Sequence, residues 1–176
     1  MNTKKLVLVL AMASCAAFGT ANAKDQGHGT VTFTGSIIDA PCSITPESSE
    51  QTIDLGQVSN MALEDSGKSI PQTFSIKLEQ CDISGTDKTV TTTFSGTASA
   101  ADSKLLGIEG TAKGASVGIS TTTGTLIELG KPSPAYTFLA GPNELRFAAY
   151  LQGDGASATI VPGTFQAVAN FALTYQ

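Results

Sequence analysis

Hydrophobic and polar residues alternate most sharply at the two ends of this chain. From Phe165 to Gln176, the residues Phe165, Ala167, Ala169, Phe171, Leu173 and Tyr175 share one parity, and small or polar side chains fill most of the other. A period of two is the mark of a half-buried β-strand. An apolar strand wants a neighbour at each edge, because an unpaired edge is a template for association. The expectation is that an earlier segment covers this edge or another molecule does. The second stretch is Val31-Thr-Phe-Thr-Gly-Ser-Ile37, with Val31, Phe33, Gly35 and Ile37 on one face. It spans roughly 20 Å as extended chain.

Between these ends lie short β-runs: Cys42–Thr45, Thr52–Leu55, Thr73–Cys81, Thr89–Ser95, Val117–Thr121, Leu126–Leu129 and Glu144–Leu151. With Thr30–Ile38 and Thr164–Tyr175 they make the predicted strands. Turn signals separate most of them, among them Ser84-Gly85, Glu109-Gly110, Lys113-Gly114, Pro132-Ser-Pro134, Gly141-Pro-Asn143, Gly153-Asp-Gly155 and Pro162-Gly163. No segment carries a helical period. The pattern predicts an all-β sandwich of the immunoglobulin type. It departs from antibody domains, since Trp is absent and the cysteines come too early to join the second and sixth strands.

Residues 1–23 read as a secretory signal peptide: Lys4 and Lys5, an apolar run from Leu6 to Ala17, then Ala21-Asn22-Ala23 as cleavage site. Cys15 allows lipoprotein processing at Met12-Ala-Ser-Cys15, but the run continues smoothly into the ordinary site. The remaining 153 residues suit a single domain with one core. Export leaves Cys42 and Cys81 as an even pair in an oxidising compartment, so a disulfide is the default. Closing that loop contributes roughly 4 kcal/mol in the chain-entropy model. A metal pair or a reactive thiol is the weaker reading, because the spacing is too long for a Cys-x-x-Cys clip and no His lies nearby.

Without Lys4 and Lys5 the chain holds eight basic residues against fifteen acidic ones, a net charge of about −7. The basic residues are scattered singly, which disfavours nucleic acid and anionic lipid as partners. Catalysis lacks a constellation. His28, the single histidine, lies between two glycines and reads as a linker residue rather than a base or ligand. No Gly-x-Ser-x-Gly elbow, Walker loop or His-Glu-x-x-His motif occurs. The expectation is a non-enzyme without cofactor or metal.

Alternation alone leaves the Val31–Ile37 segment open. It could be the first strand of its own sandwich, or a tail that fills a groove on another subunit by strand addition. Read together, the two ends resemble the pilins of chaperone–usher fimbriae of Gram-negative bacteria, in particular major subunits of the type 1-like branch. The resemblance rests on Val31-Thr-Phe-Thr-Gly-Ser-Ile-Ile-Asp-Ala-Pro-Cys42, Ile53-Asp-Leu-Gly-Gln-Val58, Phe74-Ser-Ile-Lys-Leu-Glu-Gln-Cys81, and a terminus with Gly163 near its start and Tyr175 penultimate. It runs from about Gly29 to Gln176.

The resemblance implies an immunoglobulin-like sandwich lacking its last strand, completed by donor-strand exchange. It divides the chain into signal peptide 1–23, donor extension 24–38 and pilin domain 39–176. Val31, Phe33, Gly35 and Ile37 would be the donated face. Gly163, Ala169, Phe171, Leu173 and Tyr175 would belong to the acceptor groove, which also binds a periplasmic chaperone. The Cys42–Cys81 bridge would pin the first two strands. The implied partners are identical subunits in a head-to-tail homopolymer, the chaperone, an outer-membrane usher and other fimbrial subunits. The implied place is a fimbrium on the cell surface, reached through the periplasm, where it would support adhesion. A minor adaptor or receptor-binding subunit is the alternative, for which Tyr136 and Phe138 beside the Pro132-Ser-Pro134 turn are the one hint.

Overall fold

Ile76 and Leu78 alternate with Lys77 and Glu79, and the apolar pair is almost wholly buried while the charged pair faces solvent. The computed structural model describes residues 28–85 and 88–176. The signal-peptide reading of residues 1–23 and the first residues of the tail lie outside them. The chain divides into two units between Ile37 and Ile38. Each is taken by itself.

In the first unit, His28–Ile37 carry neither helix nor strand, and their side chains are exposed. The strand expected over Thr30–Ile38 is therefore not formed. An extended segment becomes a strand only when a partner satisfies its N–H and C=O groups, and among the described residues no strand pairs with it.

The described residues of the second unit form ten strands. They are β1 (Ser43–Ile44), β2 (Gln72–Cys81), β3 (Thr89–Gly96), β4 (Leu106–Gly107), β5 (Glu109–Gly110), β6 (Ala115–Thr121), β7 (Tyr136–Thr137), β8 (Gly141–Gly153), β9 (Phe165–Gln166) and β10 (Ala169–Tyr175). One sheet has the order β1-β2-β8-β6-β4, a second β10-β3-β7, and β5 pairs with β9. Every pairing is antiparallel. Phe74 and Phe147 on the first sheet meet Phe94 on the second, with ring centroids 6.2 and 5.1 Å from it. Phe94 and Phe147 stand edge to face, an arrangement that adds to simple burial. Val90, Val117, Ile119, Leu145 and Leu151 complete the core.

Several local expectations are corrected. Thr52–Leu55 joins no ladder, and Leu126–Leu129 contributes a single bridge, Ser120 to Leu126. The terminal run splits into β9 and β10 because its partner changes at Ala167-Val168, from β5 to β3. Glu109-Gly110, expected as a turn, is β5, and Gly141-Pro-Asn143 opens β8. Pro142 fits there because a strand start is one of the few ladder positions that tolerates a missing N–H. Two short helical segments also occur: α1 (Pro46–Ser49), with Pro at its start where no N–H is needed, and a 3-10 segment over Asn60–Ser66.

Cys42 and Cys81 are bonded, S–S 2.10 Å. The bridge joins the residue before β1 to the end of β2, so the two paired strands are tied covalently at one end. Truncating the aromatic cluster, as in Phe147→Ala, should cost about 3–5 kcal/mol. A lower denaturant midpoint at unchanged slope is the expected result in equilibrium unfolding.

Candidate functional site

β10 pairs with β3 in continuous register from Ala169 opposite Gly96 to Tyr175 opposite Val90. The ladder is closed at its end by Gln176, whose N–H donates to Thr89 O at 2.9 Å and whose carbonyl accepts from Thr89 N at 2.8 Å and Lys88 N at 2.7 Å. Its other edge has no partner among the described residues, since β10 is the last strand of its sheet. The opposite sheet ends comparably. Beyond β1 the chain follows β2 through Thr45 N to Lys77 O at 3.1 Å, Ser48 Oγ accepting from Lys77 N at 2.9 Å, and Gln51 Nε2 to Ser75 O at 2.9 Å. It then leaves the sheet.

Between these two borders the sandwich is open. A cleft of about 1180 Å³ runs between the Ser48–Asn60 segment and the Val161–Phe171 segment. Its floor is the core itself, including Phe74, Ile76, Phe94, Leu106, Val117 and Ile119. Core side chains lining an open cleft are unusual in a closed domain, whose interior is packed as densely as an organic crystal.

The parity read from the sequence governs β10. Phe171, Leu173 and Tyr175 are half-buried and pack on the core, whereas Asn170, Ala172 and Thr174 are exposed. Ala169, on the same parity, is exposed because it lies at the switch between β9 and β10, and it still lines the cleft with Phe171. Leu173 and Tyr175 continue the row toward Gln176, and the Tyr175 ring meets Phe138 edge-on at 5.7 Å. Gly163 also lines the cleft. A Cβ there would lie 2.6 Å from Ala112 N, so the Pro162-Gly163 turn can approach residues 111–112 only without a side chain. The approach lets Thr164 O accept from Thr111 N and Ala112 N, at 3.0 and 3.1 Å.

The tail residues are placed as sharply. Val31 and Phe33 are 73% and 90% exposed, and Ile37 is fully so. Nothing lies within 4 Å of where a Gly35 Cβ would stand.

The second border of the cleft and its floor were not predicted as site residues. Ile53, Leu55 and Val58 are half-buried along it, and Leu55 and Val58 pack on the core. Their signal is the Ile53-to-Val58 stretch, which the sequence presents only as part of a strand and of a family motif. The floor gave no separate signal, because a core residue and a groove residue look alike in a sequence. Among the described residues no group of three or more His, Cys, Asp or Glu could hold a metal ion. No helix of these residues is long and apolar enough to cross a membrane.

An open β-sandwich whose cleft reaches down to the core beside one unpaired strand is the arrangement of a subunit of the pilin class. Residues 31–176 match the family described as fimbrial protein, and the chain belongs to that family. It is 63% identical to the fimbria A protein of Serratia marcescens, over 94% of this chain and 96% of that one. It is 54% identical over the whole of both chains to the major MR/P fimbria protein of Proteus mirabilis. Among solved structures it resembles a chaperone–usher pilus subunit at 37% identity and a TM-score of 0.75, covering 86% of this chain and 97% of that one. It also resembles the P pilus rod subunit PapA at 34% identity and a TM-score of 0.69, covering 78% of this chain and all of that one. The protein is a structural fimbrial subunit with an immunoglobulin-like fold, exported and assembled with other subunits on the cell surface.

Burial pushes the Tyr175 phenol above its ordinary value of 10.0. The folded state thus holds this proton more tightly than the unfolded chain does. The stabilisation is complete below pH 10 and is lost as pH rises through the raised folded value. Melting temperature should fall less between pH 9 and pH 12 in Tyr175→Phe than in the wild type, by thermal denaturation across that range.

Proposed function

We propose that this subunit polymerises head-to-tail, each copy giving the Val31–Ile37 strand of its extension to the cleft of another copy. The observation that carries this reading is the match between an unpaired β10 edge above an apolar cleft and an exposed segment with apolar residues at every second position except Gly35. An added strand would pair with β10 through main-chain hydrogen bonds while Val31, Phe33 and Ile37 enter the cleft. Full burial of each such side chain contributes about 1.5–3 kcal/mol. Gly35, on the same face, lets the strand pass where the cleft is tightest. Donor and acceptor are different surfaces, so the contact does not close on itself and generates a filament.

In this reading 24–38 is the donor extension and 39–176 the pilin domain, with Gly163, Ala169, Phe171, Leu173 and Tyr175 in the acceptor groove. A periplasmic chaperone holds the groove before assembly, and an outer-membrane usher is where the donor replaces it. The 54% identity to a protein named as a major fimbria protein supports a repeating shaft role. Catalysis has no part in it: polymerisation by strand addition needs no covalent step.

Deleting Lys24–Ser36 should leave a subunit that still binds its chaperone and forms no fibre, by co-purification and electron microscopy of the cell surface. Normal fibres from that deletion would rule the donor strand out. Phe171→Asp should abolish the stable chaperone complex, since it places a charge in an apolar cleft.

A further inference from the structure

The lip of the cleft on the β10 side is not built by β10 alone. Ala169 and Phe171 belong to that strand, but residues 161–168 reach the cleft from the stretch before it, where the chain pairs with β5 rather than β3. Gln176 exchanges both main-chain bonds with Thr89, so along β10 the even-numbered residues bond to β3. Ala169, Phe171, Leu173 and Tyr175 therefore point their main-chain groups away from it. Thr164 O accepts from Thr111 N, so Thr164 and Gln166 bond toward β5 with the same parity. Thus β5 takes over the edge that β3 leaves at Gly96. The free edge runs on past Ala167 and covers residues 165–175 rather than β10 only.

Such a handover requires backbones to pass closely at two places. A Cβ on Gly96 would lie 2.5 Å from Val168 O, and one on Gly110 would lie 2.4 Å from Thr164 O. Gly110 also sits at φ +124°, a conformation that side chains rarely allow. Both contacts are to main-chain oxygen, which cannot swing aside as a flexible side chain could. Thr111 adds a clamp, since its Oγ1 accepts from Thr164 N at 3.0 Å. None of these three residues lines the cleft.

We propose that Gly96, Gly110 and Thr111 are positioning residues for strand capture. Without touching the donated strand, they hold residues 161–169 on the line where the acceptor edge and the cleft wall must lie. This deepens the head-to-tail reading above and rests on it. A side chain at Gly96 or Gly110 pushes the lip off that line, which shortens the edge that can bond to an added strand. The donating role is untouched, because the tail lies outside the second unit. A defect confined to accepting is therefore the signature of positioning, whereas a general loss of folding lowers both roles.

The test co-expresses two full-length subunits with different epitope tags, one of them disarmed as a donor by Val31→Asp and Phe33→Asp. Every SDS-resistant mixed dimer then has a known direction. Gly96→Ala or Gly110→Ala in the disarmed subunit, which can only accept, should cut the mixed dimer about ten-fold. The same change in the donating subunit should leave the yield as it was. An accepting yield that stays unchanged would overturn the assignment. Thr111→Val removes one hydrogen bond and adds no bulk, so it reads the same effect where a glycine variant fails to fold. It should lower the accepting yield about three-fold and spare the donating one. Equal yields in the two roles would overturn the assignment as well. A mixed dimer that never forms, with the clefts of both subunits unchanged, removes the head-to-tail reading itself and the positioning role with it.

Discussion

The unpaired edge of β10 is the constraint on which the rest of this structure depends. Its residues make one complete ladder with β3 and then face an open cleft whose floor is the hydrophobic core. An antiparallel sandwich ordinarily covers such a floor with another strand, which both satisfies the edge and excludes water. Here the residues that would be central in a closed domain, Phe94 and Ile76 among them, line a solvent-open channel while remaining buried by their neighbours. The subunit is therefore short of both a hydrogen-bonding partner and an apolar face. One extended segment with apolar side chains at alternate positions would supply the two together.

Other features hold that channel in shape. The disulfide ties the start of β1 to the end of β2, so the border formed by residues 45–51 cannot peel away from the sheet at its entry. Gln176 locks the end of β10 to Thr89, and the Phe138–Tyr175 pair packs beneath it. At the far end Gly163 lets its turn lie against Thr111 and Ala112. Rigid borders matter energetically, because a binding strand then loses less to ordering its acceptor.

Legibility in the sequence followed the physics of pairing. β2, β3, β6, β8 and the β10 half of the terminal run announce themselves by alternation, and the two cysteines by their number and the exported context. Where a strand depends on a partner, alternation is not enough. Thr30–Ile38 alternates as sharply as β10 and forms no strand, since no strand among the described residues pairs with it. Thr52–Leu55 keeps its parity, Ile53 and Leu55 inward, yet borders the cleft without a ladder. The two-residue strands β4, β5 and β7 are too short for any period to show, and Glu109-Gly110 looked like a turn because of its glycine. Ala169 shows the limit on the site itself: its parity is right, but the change of partner at Ala167-Val168 leaves it exposed. The cleft floor was invisible as a site because only the missing strand turns core into groove.

The central claim is that the cleft is completed by the strand carried in the extension. The most direct measurement is thermal unfolding of a subunit lacking residues 24–38, with and without a synthetic peptide of residues Thr30–Ile38. A ligand that binds only the folded state raises the transition by mass action. The account predicts a melting temperature that climbs with peptide concentration, and no response to a peptide with Val31, Phe33 and Ile37 changed to Asp. A transition indifferent to the native peptide, or equally responsive to both, would contradict it.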